Sequence, residues 1–265
     1  MAAPKTRLRK REIIAAFAIG GVATLGAAGL ILNASDEPRE RESHQQVVTM
    51  DGRQTYTVGE FEGIAVVGPQ DVVVTRGDSY SVRAEGPGEA LARFEVVVED
   101  GILQIRPADG FEGDWSDGED MTFFVTVPRL SQFVLGGTGD VEIDRVEGDR
   151  FEGVVAGTGE LNIGNMQVQD ADFTIVGAGD LVAAGTAQAV SVKIAGAGEV
   201  NATDLRSRTA DLDIAGAGDV ALNVLERANI SVVGSGDVEV VGGAQCSLSR
   251  IGTGSVTCNG TDVDD

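Results

Sequence analysis

The chain has 265 residues, 37 of them glycine, with a net charge of −22, one histidine and two cysteines. Such acidity opposes phosphate backbones and anionic lipid headgroups, which argues against nucleic-acid or lipid-surface binding by the folded part. His44 alone cannot build a multi-histidine metal site or serve a folded domain as catalytic base, and two cysteines are too few for a disulfide framework.

In chain order, residues 1–12 are basic, with Lys5, Arg7, Arg9, Lys10 and Arg11 against Glu12. Ile13–Leu32 is an uncharged run of 20 residues, long enough to cross a bilayer as a helix. The basic flank comes first, so the positive-inside rule puts the N-terminus in the cytoplasm and the rest outside. A cleaved secretory signal is the competing reading. Leu32-Asn33-Ala34 is a poor small-x-small cleavage site, so an uncleaved membrane anchor is expected. Either reading exports the remainder to the periplasm or the cell surface. Residues 33–54 are polar and charged and read as a tether.

A β pattern sets in at about Thr55. Ile64 and Val66, then Val72 and Val74, alternate around a Gly68-Pro69-Gln70-Asp71 turn, and strand-like runs follow at residues 81–86, 94–107 and 121–128. The stretch 109–120 is acidic and glycine-rich but lacks the spacing of a calcium loop, so it reads as a solvated excursion.

From Phe133 to Cys258 one phrase recurs seven times: glycine, any residue, glycine, acid. The glycine pairs are Gly137 and Gly139, Gly157 and Gly159, Gly177 and Gly179, Gly196 and Gly198, Gly216 and Gly218, Gly234 and Gly236, and Gly252 and Gly254. The acids are Asp140, Glu160, Asp180, Glu199, Asp219 and Asp237, with Ser255 in the last copy. Successive first glycines lie 20, 20, 19, 20, 18 and 18 residues apart. A period in this range marks a solenoid, whose units bury their apolar faces only against their neighbours.

Apolar residues stand four and two places before each first glycine, save for Gly153 and Arg250, and four and six places after it. Phe173 and Ile175 before Gly177, with Leu181 and Ala183 after it, are one example. Two short strands per coil therefore face one interior across a glycine corner. The Gly68 turn fits the same frame and is expected to be an earlier coil, joined to the repeats by longer, less regular ones. Left-handed hexapeptide repeats are absent. The expected architecture is all-β: a single-stranded, right-handed parallel β-helix over residues 55–260, with residues 261–265 as an acidic tail.

The acidic column should line one edge, one carboxylate per coil. Each carboxylate then either accepts local backbone hydrogen bonds at its own turn or joins a row of weak calcium sites. A dinucleotide loop is excluded because no helix follows the motif, and a nine-residue calcium roll is excluded by the period. Cys246 and Cys258 both fall in inward columns, as buried thiols or as a disulfide closing the last coil, and export favours the disulfide. Arg250 in an apolar column and Ser255 in the acidic one read as a cap.

The segments FEGIAVVGPQDVVVTRGDSYSVRAEG, VEDGILQI and TFFVTVPRLSQFVLGGTGDVEI, in that order, resemble the head GIN domain family of autotransporter adhesins over about residues 55–260. The resemblance implies a right-handed parallel β-helix related in shape to pectin-lyase-like proteins, an adhesive role and no catalytic residues. The chain has no Gly-Ile-Asn tripeptide and no translocating barrel.

The expected function is that of a non-enzymatic, membrane-anchored β-helix, held through residues 13–32 and contacting a cell-envelope protein or polysaccharide, without nucleic acid and without a cofactor unless the edge takes calcium. One alternative is a carbohydrate-binding or polysaccharide-lyase-like protein, for which Lys193, Arg206 and Arg208 are the few basic candidates. The other is a structural envelope protein that self-associates through its solenoid ends.

Overall fold

The computed structural model describes residues 47–50, 52–108 and 121–263. The proposed membrane span, His44 and the acidic stretch 109–120 lie outside them. Among the described residues, no helix is long and apolar enough to cross a membrane.

The described residues of the unit from Gln45 to Asp265 are almost entirely β. It opens with β1 (Val47–Met50), β2 (Arg53–Tyr56), β3 (Gly63–Gly68), β4 (Asp71–Arg76) and β5 (Ser81–Glu85). A single helical turn, α1 (Gly88–Leu91), leads to β6 (Phe94–Glu99), β7 (Ile102–Pro107) and β8 (Thr122–Val127). The repeats follow as β9 (Gln132–Gly137), β10 (Val141–Ile143), β11 (Val146–Gly157), β12 (Glu160–Gly177), β13 (Asp180–Gly196), β14 (Glu199–Gly216) and β15 (Asp219–Gly234). The chain ends in β16 (Val238–Val241), β17 (Gln245–Gly252), β18 (Val256–Cys258) and β19 (Thr261–Asp262).

Stacked coils form a parallel β-solenoid of about six turns. Two walls meet at each glycine corner. The first wall stacks the strands that enter the corner, with β3, β9 and β11 in parallel register, continued by the second halves of β12 to β15 and by β17. The second wall stacks the strands that leave it, from β4 through β10 and the first halves of β12 to β15 to β16 and β18. Inward columns from both walls interdigitate into one core, in which Phe133, Leu135, Phe173, Ile175, Leu161 and Ile163 are fully buried or nearly so. At Gly153, which interrupts the apolar column between Phe133 and Phe173, the Phe151 ring supplies the missing bulk. A Cβ on Gly153 would meet it at 3.3 Å.

The Gly68 coil differs from the expectation. It stacks directly on the Gly137 coil, with Gly68 opposite Gly137 and Val72 opposite Val141. The intervening residues do not bridge the two coils. Their described strands lie on the outer side of the Gly68 coil, where β7 pairs parallel with β3 and β8 pairs parallel with β4. Antiparallel strands then close that end: β6 on β7, β5 on β8, β2 on β5 and β1 on β2. Covering the terminal rung pairs edge groups that would otherwise recruit another chain.

Two boundaries also move. Strand structure begins at Val47, inside the segment read as a tether, because β2 buries Gln54 and Tyr56 and adds to β5. At the other end, the first residues of the acidic tail fold back as β19, antiparallel on β18, and the Val263 N–H donates to Val256 O.

Candidate functional site

The repeated corner needs its two glycines for different reasons. The first of each pair has positive φ, for example +138° at Gly216, where an L side chain is strained. The second does not. Gly218 is there because a Cβ would lie 2.7 Å from both Gly198 O and the Ile194 methyl of the coil beneath. The sequence argument from backbone geometry therefore covers half of the fourteen glycines; close stacking of coils accounts for the other half and adds to the constraint on the first.

This tight corner aligns the acids. Glu160, Asp180, Glu199 and Asp219 are direct register partners on successive rungs. Asp71 heads the column, and Asp140, Asp237 and Ser255 continue it. All are exposed. Four of the carboxylates, all aspartates, are held by an amide of the next coil. Asp71 Oδ1 accepts the Asp140 N–H at 3.0 Å, Asp180 Oδ1 that of Glu199 at 3.3 Å, Asp219 Oδ1 that of Asp237 at 2.9 Å, and Asp237 Oδ1 that of Ser255 at 2.7 Å. Asp is short enough to reach the amide one rung away. The Ser255 amide and hydroxyl together hold the Asp237 carboxyl below its usual range.

Near the C-terminal end the row borders a shallow groove of about 270 Å³, lined by Glu199, Asp219, Asp237, Glu239, Ser255 and Thr257 among others. Among the described residues, no three His, Cys, Asp or Glu side chains converge in a way that could hold a metal ion. A vertical ladder spreads its carboxylates along a line instead of folding them around a point.

Cys246 and Cys258 are bonded to each other across the last coil, with Cα atoms 6.4 Å apart. Asn259 completes this end: its side-chain amide donates to Ala244 O at 3.0 Å while its Oδ1 accepts the Gly243 N–H at 2.7 Å. Arg250, half-buried, donates to Gly254 O at 2.9 Å within the same coil.

The basic candidates do not gather around the acidic row. Lys193 lies on the first wall, in a groove of about 300 Å³ that contains Asp213 and none of the acidic column. Arg208 is engaged by Glu226 at 2.6 Å, and Arg206 is exposed two places before it on β14.

Two features escaped the sequence reading. Gln70 takes the place of the second glycine in the Gly68 coil and is 1% exposed; its amide donates to Val67 O at 3.3 Å and its Oε1 is buried without a partner. The second is an outward column on the first wall, one place before each first glycine. It runs from Val67 through Val176 and Val233 to Ile251 with only alanine and glycine between, in unbroken register. Reading the same repeat alignment at its odd places would have found it.

The strands thus define a capped parallel β-solenoid whose corners carry a carboxylate ladder. Residues 60–244 match the family described as "Putative auto-transporter adhesin, head GIN domain", and the chain belongs to that family. Its fold is similar to that of a crystal structure described as a "putative adhesin" from Bacteroides fragilis, at 25% identity and a TM-score of 0.71. A "putative lipid binding protein" from Parabacteroides distasonis (21%, TM-score 0.61) and a "putative adhesin" from Parabacteroides merdae (16%, TM-score 0.60) share the fold. Each similarity covers 77% of this chain and 94% of the other. No curated protein matches the chain.

Proposed function

We propose that this protein is a non-enzymatic, exported adhesin-like module, anchored in a membrane by residues 13–32 and presenting its solenoid to a cell-envelope partner. The observation that carries the reading is the exposed carboxylate ladder, one acid per rung on a rigid wall, within a family of adhesin-like proteins. A regular row of like charges favours a partner with repeating cationic or hydroxyl groups, such as a basic envelope protein or a polysaccharide. The right-handed sense of the coil belongs to the same reading. Pull-down from envelope fractions, with protease accessibility on intact cells, tests it. Recovery of a partner that is lost when Asp180 and Asp219 are both changed to Ser supports it. Protection of the domain inside the cytoplasm overturns it.

Weak calcium binding along the ladder is a second reading, favoured by the direct stacking of Glu160, Asp180, Glu199 and Asp219. Divalent cations would bridge neighbouring rungs and relieve their repulsion. Calorimetric titration beside Asp180→Asn and Asp219→Asn decides it, and the absence of both heat and thermal stabilisation ends it.

A further inference from the structure

We propose that the outward face of the first wall is a self-complementary interface, on which a second copy packs about a two-fold axis running along the strands between the Ala195 and Ala215 rungs. This goes beyond the envelope-contact reading and leaves the acidic row, past the glycine corner, free for it.

The face carries exposed apolar side chains. Val176, Val233 and Ile251 are 48%, 52% and 72% exposed, far above the core residues beside them. Between Val176 and Val233 a groove of about 300 Å³ is floored by Ala195 and Ala215 and flanked by Lys193 and Asp213.

An isologous interface requires that if residue i meets residue j, then j meets i. The proposed axis keeps each outward column facing itself and reverses the order of rungs. The registers then set Ala195 against the partner's Ala215, Val176 against Val233, and Ala156 against Ile251. Two places earlier along the strands, the same operation sets Lys193 against Asp213 and Thr174 against Ser231. Further out it sets Asp172 against Asn229 and Ser191 against Asp211. At the far edge of the face, Asp170 meets Arg227. No like charges meet among these pairs.

The two adjacent registers lack this property. An axis centred on the Ala195 rung sets Lys193 against its own copy. One centred on the Ala215 rung does the same to Asp211 and Asp213. Like charges facing each other oppose association, so charge disfavours both. An axis between the Ala215 and Val233 rungs avoids like charges but sets Lys193 against Ser249 and Asp213 against Ser231, without an opposite-charge pair and with fewer rungs overlapping.

The extent is sufficient. Six rungs at about 4.8 Å and seven residues along each strand at about 3.3 Å outline roughly 600 Å² per copy in projection. Two such faces total about 1,200 Å², within the range of specific interfaces. Sheets packed this way keep their strands within about 30° of each other, as twisted sheets do.

The test measures the mass of the full chain in detergent micelles by light scattering, over a concentration series, with circular dichroism to verify folding. A dimer is expected, weakened about tenfold or more by K193D or D213K alone. The double swap K193D/D213K restores opposite charges across the axis and should return the dimer to within about threefold of the original. Val176→Asp should weaken it as well. A monomer throughout overturns the proposal. So does a dimer indifferent to K193D and Val176→Asp, as one held by residues 1–46 or by the solenoid ends would be. Failure of the double swap to restore association overturns the two-fold register.

Discussion

Replacing Gly216 by alanine isolates the physical reason for the repeat. The residue has φ of +138°, a region almost reserved for glycine, and holding an L residue there costs about 1–3 kcal/mol. The new Cβ would also overlap the Gly196 carbonyl oxygen of the coil beneath. That oxygen accepts the Ala217 N–H at 2.9 Å, so moving it aside weakens a bond between coils, at about 1 kcal/mol or more. The expected loss is roughly 3–5 kcal/mol, or about 10 °C in Tm for a domain of this size. Gly243→Ala separates the two contributions: φ is +97° but nothing lies within 4 Å of the added Cβ, so only the backbone cost applies. Gly59→Ala meets neither obstacle and should be neutral or slightly stabilising. Urea unfolding followed by far-ultraviolet circular dichroism ranks the three. If Gly216→Ala cost no more than Gly243→Ala, close stacking would add nothing to the backbone constraint at the first glycine of the corner.

Three further outcomes are expected. Cys246→Ser with Cys258→Ser opens a loop spanning 12 residues and should cost about 3 kcal/mol, with faster hydrogen exchange confined to β16–β19. Asp237 has its folded pKa depressed by Ser255, so its stabilisation is present above the unfolded carboxylate pKa of about 4 and is lost as pH falls through the lower folded value. Asp237→Ala should therefore flatten the acid limb of a stability–pH profile and leave the slope near pH 7 unchanged. Tyr56, whose hydroxyl donates to Gln54 Oε1 at 2.8 Å, is pushed by burial from about 10 up to about 12. Its contribution is whole below pH 10 and lost as pH rises through 12. Ultraviolet titration should find one tyrosine ionising only near that upper value, and Tyr56→Phe should remove that step.

The coil period, the two inward columns on each side of the corner and the acid on every rung but the last were legible in the sequence, because each follows from a repeat that any rung-by-rung stacking must respect. Strand alternation likewise located β5 to β8 near their observed bounds. Order in space was not legible. Alternation says that Val72 and Val74 face a core, but not that Val72 stacks on Val141 while β5 to β8 turn outward to cap the end. That order depends on which rung offers the complementary edge, a contact between segments distant in sequence. The carboxylate partners were hidden for the same reason, since Asp219 accepts an amide 18 residues away and not one in its own turn. The period by itself determined what every coil contains. Only the tertiary structure decided what each coil rests on, because edges and outward faces acquire meaning from the neighbour that does or does not cover them.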